Sequence, residues 1–398
     1  MENVKEIVKT IEKRLNGIHI GVMDGESEPV LLISADYPGV WLEHVYDSLM
    51  YARLYEGNEH IAENTVRLFI KHQTPEGQFP ALVAKNGSKS YNQIQECVSF
   101  ARLSYDIYSL RKDKAFLREI YNACSRWDEW LCRNRMTLGK GLIEQFVGFD
   151  TGHDNSSRAD GLTYRGNYRV NGAGMNASVF PPDEKTAPLI AVDMNCNLYA
   201  SRRALARMAR ELGCEESAKV WESKAREIKN RLFEYCLDRD DAFFYDLNKD
   251  MTKRKYLSCT VFHLFMERVL DPTEDKALID EIYDRHINNE KEFKTPYPYP
   301  SMAICDKGWR LNSAFNCWSY FSQGLIALRA TLWMDEYGYS SDLDRLCEIW
   351  LKAWTKCYDK VKLGQELHPI TGEPSKASEW YSSCMLFYIY SARRLHII

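Results

Sequence analysis

Apolar residues recur at helical spacing along most of this 398-residue chain, and the segments between those runs are polar and aromatic. Val4, Ile7, Val8, Ile11 and Leu15 predict a short amphipathic helix over 2–15, ended by Gly17. Two apolar runs, 18–23 and 30–33, flank Asp24-Gly25 and predict a strand hairpin. Beyond Pro38 the pattern is helical. Paired helices are expected near 40–55 and 59–72, 93–110 and 114–134, 188–212 and 215–235, 257–269 and 274–287, and 314–336 and 341–357. Gly213 just past a helix end and Thr273 as an N-cap mark two of the turns inside pairs. A last helix near 378–395 has no partner after it, and the N-terminal helix can supply one, for a total of twelve.

The connections alternate in length. Those inside a pair are short, and those between pairs are long: 16–39, 73–92, 135–187, 236–256, 288–313 and 358–377. In antiparallel hairpins all connections of one kind emerge at the same end, so six hairpins closed into a ring would gather every long loop around one mouth. The expected fold is therefore all-α, an (α/α)6 toroid forming a single catalytic domain over 1–398, with a small N-terminal β-hairpin. No clear internal repeat accompanies the rhythm, and an elongated helical solenoid is the competing architecture.

Composition narrows the partners. Ten Trp, 24 Tyr and 16 Phe suit a large core or a cleft that stacks sugar rings. A net charge of -4 with dispersed Lys and Arg argues against nucleic acid. Twelve cysteines form no C-x-x-C pair and no zinc-ligand spacing, and Cys97, Cys124, Cys132, Cys196, Cys214 and Cys384 fall within helical patterns. Reduced, buried thiols in a reducing compartment are expected. The N-terminus lacks a signal-peptide apolar region and no stretch reaches membrane-span length, so a soluble, cytoplasmic protein without membrane contact is expected. A homo-oligomer is left open.

The chemically densest stretch is 150–158, with Asp150, His153, Asp154 and Arg158 in one loop and a long polar segment after it. Tyr164, Tyr168 and Phe180 argue that this segment is ordered. Other long linkers carry Gln78, Tyr297, Tyr299, Trp309, Arg310, Gln365, Glu366 and His368, and helix starts carry Asp36, Tyr37, Trp41, Glu43, His44, Gln95 and Trp380. Carboxyl groups on different loops at one aromatic-lined mouth are what glycoside hydrolysis needs. One protonates the leaving oxygen and a second activates water or attacks, and about 6.5–9.5 Å between them leaves room for the water of an inverting reaction.

The stretch 150–158, Asp-Thr-Gly-His-Asp-Asn-Ser-Ser-Arg, resembles the E-S-G-x-D-N-S-P-R signature of glycoside hydrolase family 63. That family's relatives are the trehalases, bacterial α-glucosidases and mannosylglycerate hydrolases, inverting (α/α)6 enzymes. The resemblance implies Asp154 as general acid. Val192-Asp193-Met194-Asn195-Cys196-Asn197-Leu198 is similar to the family's V-D-L-N-A-x-L helix start, and Gly308-Trp309-Arg310, with Asn316 beyond it, to its W-R-G segment. The stretch 364–374 is similar to the E-x-Y-x-P-x-T-G-E base loop, shortened by one residue, which implies Glu366 as general base. The W-x-W-D near the start reads Trp41-Leu42-Glu43-His44, and the Gly-Pro-x-Trp after Trp-Arg reads Leu311-Asn312-Ser313-Ala314.

The expectation is an inverting hydrolase of an α-linked gluco- or manno-configured oligosaccharide or small glycoside, with no metal or organic cofactor. Its substrate contacts are expected from Trp41, Glu43, Gln78, Gln95, Asp150, His153, Arg158, Asp193, Trp309, Arg310 and Trp380. Two alternatives stand beside it: a sugar epimerase or isomerase using His44, His153, His263 or His368, and a glycan-binding protein with a degenerate site.

Overall fold

The computed structural model describes residues 2–34, 39–95, 98–163, 169–170, 173–174, 177–179, 184–376 and 378–398. Asp36, Tyr37, Cys97, Tyr164, Tyr168 and Phe180 lie outside the described residues. Within them the chain is mostly helical. In chain order the α-helices are α1 (Glu2–Leu15), α2 (Val45–Leu54), α3 (Glu59–Lys71), α4 (Phe100–Arg111), α5 (Lys114–Asn134) and α6 (Val192–Glu211). There follow α7 (Glu215–Arg231), α8 (Thr260–Met266), α9 (Lys276–Ile282), α10 (Gly324–Ala330), α11 (Ser340–Cys357) and α12 (Ser382–Arg394).

The two helix types differ in how they bury their side chains. α1, α5 and α11 each bury one stripe, for example Val4, Ile7, Val8, Ile11 and Leu15 on α1. α6, α8 and α12 are buried nearly all round. A helix apolar on one face covers a core, whereas one buried on every side lies inside it. The contacts agree: α2 touches α4, α4 touches α6, α6 touches α8, α8 touches α10, α10 touches α12, and α12 returns to α2. Other helices lie against this circuit, with α3 on α2, α5 on α4, α7 on α6, and both α11 and α1 on α12.

Local signals set several ends. The Ser99 hydroxyl accepts from the Arg102 amide at the start of α4, and the Asp113 carboxylate caps α5 through the Ala115 amide. Several helices begin later than apolar spacing predicts, α4 at Phe100 and α10 at Gly324 by the most, then α2 at Val45, α6 at Val192 and α12 at Ser382. Gln95 and Asn316, ahead of the first two, sit at φ 53° and 50°, a left-handed conformation that an α-helix cannot contain.

The single expected β-hairpin is present, Ile20–Val22 pairing antiparallel with Pro29–Leu31, but it is not the only sheet. Gly39–Trp41 pairs with Leu82–Ala84, which pairs with Lys89–Ser90. Glu144–Gln145, Leu189–Ile190, Asp246–Leu247 and Lys253–Arg254 form a four-stranded sheet, and Ser322–Gln323 pairs with Glu366–Leu367. The long linkers carry backbone amides and carbonyls into buried positions, and pairing with one another satisfies those groups. Apolar periodicity cannot register strands two or three residues long. Among the described residues no helix is long and apolar enough to cross a membrane.

Gly324, at the start of α10, is where this packing is tightest. Its amide donates to the Gln365 carbonyl at 2.9 Å, and a Cβ there would lie 2.1 Å from Cys384 Sγ on α12. Gly324→Ala is expected to destabilise the protein by about 1–3 kcal/mol, the usual range for overpacking. Thermal denaturation checks this, and adding Cys384→Ala, which removes the clashing sulfur, should recover part of the loss.

Candidate active site

A cavity of about 380 Å³ opens among the long linkers. Trp41, Glu43 and His44 come from the segment leading into α2, and Gln95 from the segment before α4. Gly152 and Asp154 come from the acidic loop, Phe315, Asn316 and Trp318 from the segment before α10, and Gln365, Ser378 and Tyr381 from the last linker. Of the residues expected in the site, Trp41, Glu43, Gln95 and Asp154 are brought together here.

The segment 316–318 binds the two chemical loops. Asn316 Nδ2 donates to Asp154 Oδ2 at 2.8 Å, and Gln365 Nε2 donates to Asn316 Oδ1 at 2.9 Å. The Trp318 amide donates to the Asp154 carbonyl at 3.0 Å, and Asn155 Nδ2 to the Asn316 carbonyl at 2.9 Å. The Cys317 amide donates to Glu366 Oε1 at 2.9 Å. Asp154 Oδ2 and Gln365 Nε2 are thus bridged by one carboxamide and lie at most about 8 Å apart.

Glu366, expected on the wall as the base, is placed elsewhere. It is fully buried, does not line the cavity, and its Oε1 also accepts from Gln323 Nε2 at 2.9 Å. The reason is strand geometry. Glu366 pairs with Gln323 in the two-stranded sheet, and neighbouring residues of an extended chain point to opposite sides. Burial pushes the Glu366 carboxyl above the usual carboxylate range, against the lowering effect of bonds from Ser375, Gln323 and the Cys317 amide. The residue on the wall is Gln365. Matched without a gap, E-x-Y-x-P-x-T-G-E falls on 365–373, and its first position is this glutamine.

Asp150, Arg158, Asp193 and His153, expected to touch substrate, form the support beneath the acidic loop. Asp150 is fully buried, paired with Arg135 at 2.7 Å, and accepts from the amides of Ile94, Phe146 and Val147. Arg158 donates to both oxygens of Asp193, at 2.9 and 2.8 Å, and reaches Asp246 at 3.2 Å. His153 Nδ1 meets Asp193 at 3.1 Å, and its ring stacks on Trp318 with centroids 4.3 Å apart. Burial alone would push Asp193 up, but the Arg158 charge and the His153 bond outweigh it and hold that carboxyl well below the usual range. Asp246, with less compensation, is raised by burial.

The remaining expected contacts are also engaged away from the cavity. Gln78 Nε2 donates to the Tyr91 carbonyl at 2.9 Å. Trp309 stacks on Tyr320 and donates to its carbonyl at 3.1 Å, and Arg310 pairs with Asp160 at the surface. Trp380 carries the Arg14 guanidinium 4.1 Å above its ring, while its neighbour Tyr381 lines the cavity and bonds His44 Nε2 at 2.9 Å. Phe315, Trp318 and Ser378 were outside the expected set. Phe315 and Trp318 lie in a stretch whose apolar spacing reads as helix, and Ser378 carries no motif signal.

His153, Asp193 and His263 place ligand atoms within 4.8 Å of one another. Asp193 is already engaged by Arg158, His153 and the Met194 amide, and the Arg158 charge opposes a cation there. The cluster is a buried hydrogen-bonding support.

The family model of the mannosylglycerate hydrolase MGH1-like glycoside hydrolase domain matches residues 37–382. The chain belongs to this family. It is a glycoside hydrolase. No curated protein matches this sequence. Among solved structures, it is similar to the GH63 mannosylglycerate hydrolase from Thermus thermophilus in complex with glucose. The TM-score is 0.71 at 14% identity over 96% of this chain and 99% of that one. The neutral trehalase of Saccharomyces cerevisiae gives 0.71 at 14% identity, over 92% and 73%. The GH78 rhamnosidase of Bacillus sp. GL1 gives 0.62 at 12%, over 98% and 34%. At these identities the likeness is one of fold.

The buried histidines give this glycoside hydrolase a pH signature. Burial lowers the pKa of both His153 and His263, the latter strongly. Below the ordinary histidine pKa of about 6.5 the unfolded chain takes up protons that the folded one refuses, so stability falls as pH drops. Each histidine is expected to contribute a slope of up to about 1.4 kcal/mol per pH unit between roughly pH 6.5 and its folded pKa. Urea denaturation from pH 7.5 to 5 measures it, and His263→Gln should reduce the slope.

Proposed function

We propose that this hydrolase is an inverting enzyme built as a single (α/α)6 toroid over 1–398. Its substrate is an α-linked gluco- or manno-configured oligosaccharide or small glycoside, and Asp154 is its general acid. The closed circuit α2–α4–α6–α8–α10–α12 and the layer of helices against it support the ring. Loops at one mouth then provide the site, as the alternation of linker lengths requires.

The observation that carries the reading is the pairing of Asp154 and Gln365 through Asn316, at most about 8 Å apart in one cavity. That upper limit is compatible with the separation of about 6.5–9.5 Å that leaves room for the water of an inverting reaction. Trp41, partly exposed, and Phe315, exposed, supply aromatic surface to the cavity. Glu43, anchored by Arg329 at 2.8 Å and by Gln95 at 3.3 Å, presents a fixed carboxylate for sugar hydroxyls. Asp150, His153, Arg158 and Asp193 position the acid's loop. A relative of the same fold was crystallised with glucose, in keeping with a gluco- or manno-configured ring in a pocket of this size. Reduced cysteines, eleven of them free among the described residues, suit a cytoplasmic setting.

Epimerisation by paired histidines is less well supported, because among the described residues His44 is the one histidine lining this cavity. A panel of α-glucosides and α-mannosides, followed by NMR of the first anomer released, tests the reading. Release of the β-anomer is expected, and Asp154→Asn should lower kcat/KM on alkyl glycosides by roughly 10²–10⁴. Release of the α-anomer, or an Asp154→Asn variant as active as the parent, would refute it.

A further inference from the structure

Two carboxylates line the cavity among the described residues, Asp154 and Glu43. Both oxygens of Glu43 are already engaged, by the Arg329 guanidinium at 2.8 Å and by Gln95 Nε2 at 3.3 Å. The residue facing Asp154 through Asn316 is a carboxamide, Gln365. The neighbouring carboxylate, Glu366, is fully buried, does not line the cavity, and its Oε1 is held by the Cys317 amide and Gln323 Nε2.

The orientation of Gln365 follows from its partners. Trp318 Nε1 can only donate, and it lies 3.2 Å from Asn316 Oδ1. That contact fixes the Asn316 oxygen toward Trp318 and its nitrogen toward Asp154. Gln365 therefore meets Asn316 Oδ1 with its own NH2 group, at 2.9 Å, and its carbonyl oxygen is the end left to accept a hydrogen bond from a nucleophile. A carboxamide oxygen can orient a water molecule but cannot take its proton near neutral pH.

From this geometry we propose that Gln365 occupies the nucleophile-holding position, and that this glycosidase works without a carboxylate base. The inference rests on the hydrolase reading with Asp154 as acid. In hydrolysis the water oxygen bonds to the anomeric carbon, the glycosidic bond breaks, and the leaving oxygen takes the Asp154 proton. The surplus proton of the water passes to solvent rather than to a side chain. The slow element is thus the acidity of the attacking water. A small anion such as azide has no proton to lose. It bonds to the anomeric carbon, the bonding pair of the broken linkage goes to the leaving oxygen, and Asp154 again supplies the proton. An α-glycoside then yields the β-glycosyl azide.

The test uses the full chain with 4-nitrophenyl and alkyl α-glucosides and α-mannosides, with and without sodium azide. Azide is expected to raise the wild-type rate at least tenfold and to give β-glycosyl azide by NMR. Gln365→Glu, which installs a base, is expected to raise azide-independent hydrolysis on the order of 10²-fold and to abolish the azide response. If that variant does not fold, the azide response of the wild type decides by itself. The inference is overturned if wild-type hydrolysis ignores azide. It is also overturned if Glu366→Gln, at unchanged thermal stability, abolishes hydrolysis and azide restores it. Loss of alkyl glycoside turnover in Asp154→Asn alongside an azide-insensitive wild type would refute this inference alone. An Asp154→Asn variant indistinguishable from wild type in every arm would remove the hydrolase reading beneath it.

Discussion

Asn316, Cys317 and Trp318 hold the acidic loop and the last linker in one rigid relation. Each contributes a donor or acceptor to a different group: the Asn316 side chain to Asp154 and Gln365, the Cys317 amide to Glu366, and the Trp318 amide and ring nitrogen to Asp154 and Asn316. A left-handed Asn316 lets three successive residues serve two loops. Asparagine tolerates that conformation better than most residues, and such positions persist where the surroundings over-determine them. The bridge joins directly two segments about two hundred residues apart in sequence.

Beneath the bridge lies a layer of buried charge. Arg135 with Asp150, Arg158 with Asp193 and Asp246, and Arg329 with Glu43 are all buried pairs with additional hydrogen bonds. Pairs of this kind give little net stability against an apolar core of equal volume, yet breaking one is costly because a charge is stranded. Their effect here is positional. Asp150 collects three backbone amides of the loops around it, so the backbone leading to Asp154 has one arrangement that satisfies its donors. His153 completes the layer by stacking on Trp318 while bonding Asp193.

The cavity itself is polar where it faces Asp154 and aromatic at Trp41, Phe315 and Trp318. That mixture suits a sugar, whose ring faces are apolar and whose edge carries hydroxyls. Wall residues come from five separate stretches of chain among the described residues.

Helix count, the alternation of linkers and the stripe on each outer helix are legible in the sequence, because apolar spacing records directly which faces meet a core. α1 and α5 begin and end where that spacing predicts. The acidic loop, Trp41, Glu43 and Gln95 are equally legible as polar or aromatic residues on long connections. The side from which each residue works is not. Asp150, Arg158 and Asp193 look like site residues by type, and only their partners in space show them to be supports. Trp380 and Tyr381, or Gln365 and Glu366, are adjacent letters of similar chemistry. Which of each pair meets the cavity depends on the backbone direction at one residue, set by contacts far away in sequence: Glu366 against Gln323 and Cys317, and Trp380 against Arg14. A one-residue rotation in an extended segment exchanges an acid for an amide at the wall, and tertiary pairing alone decides it.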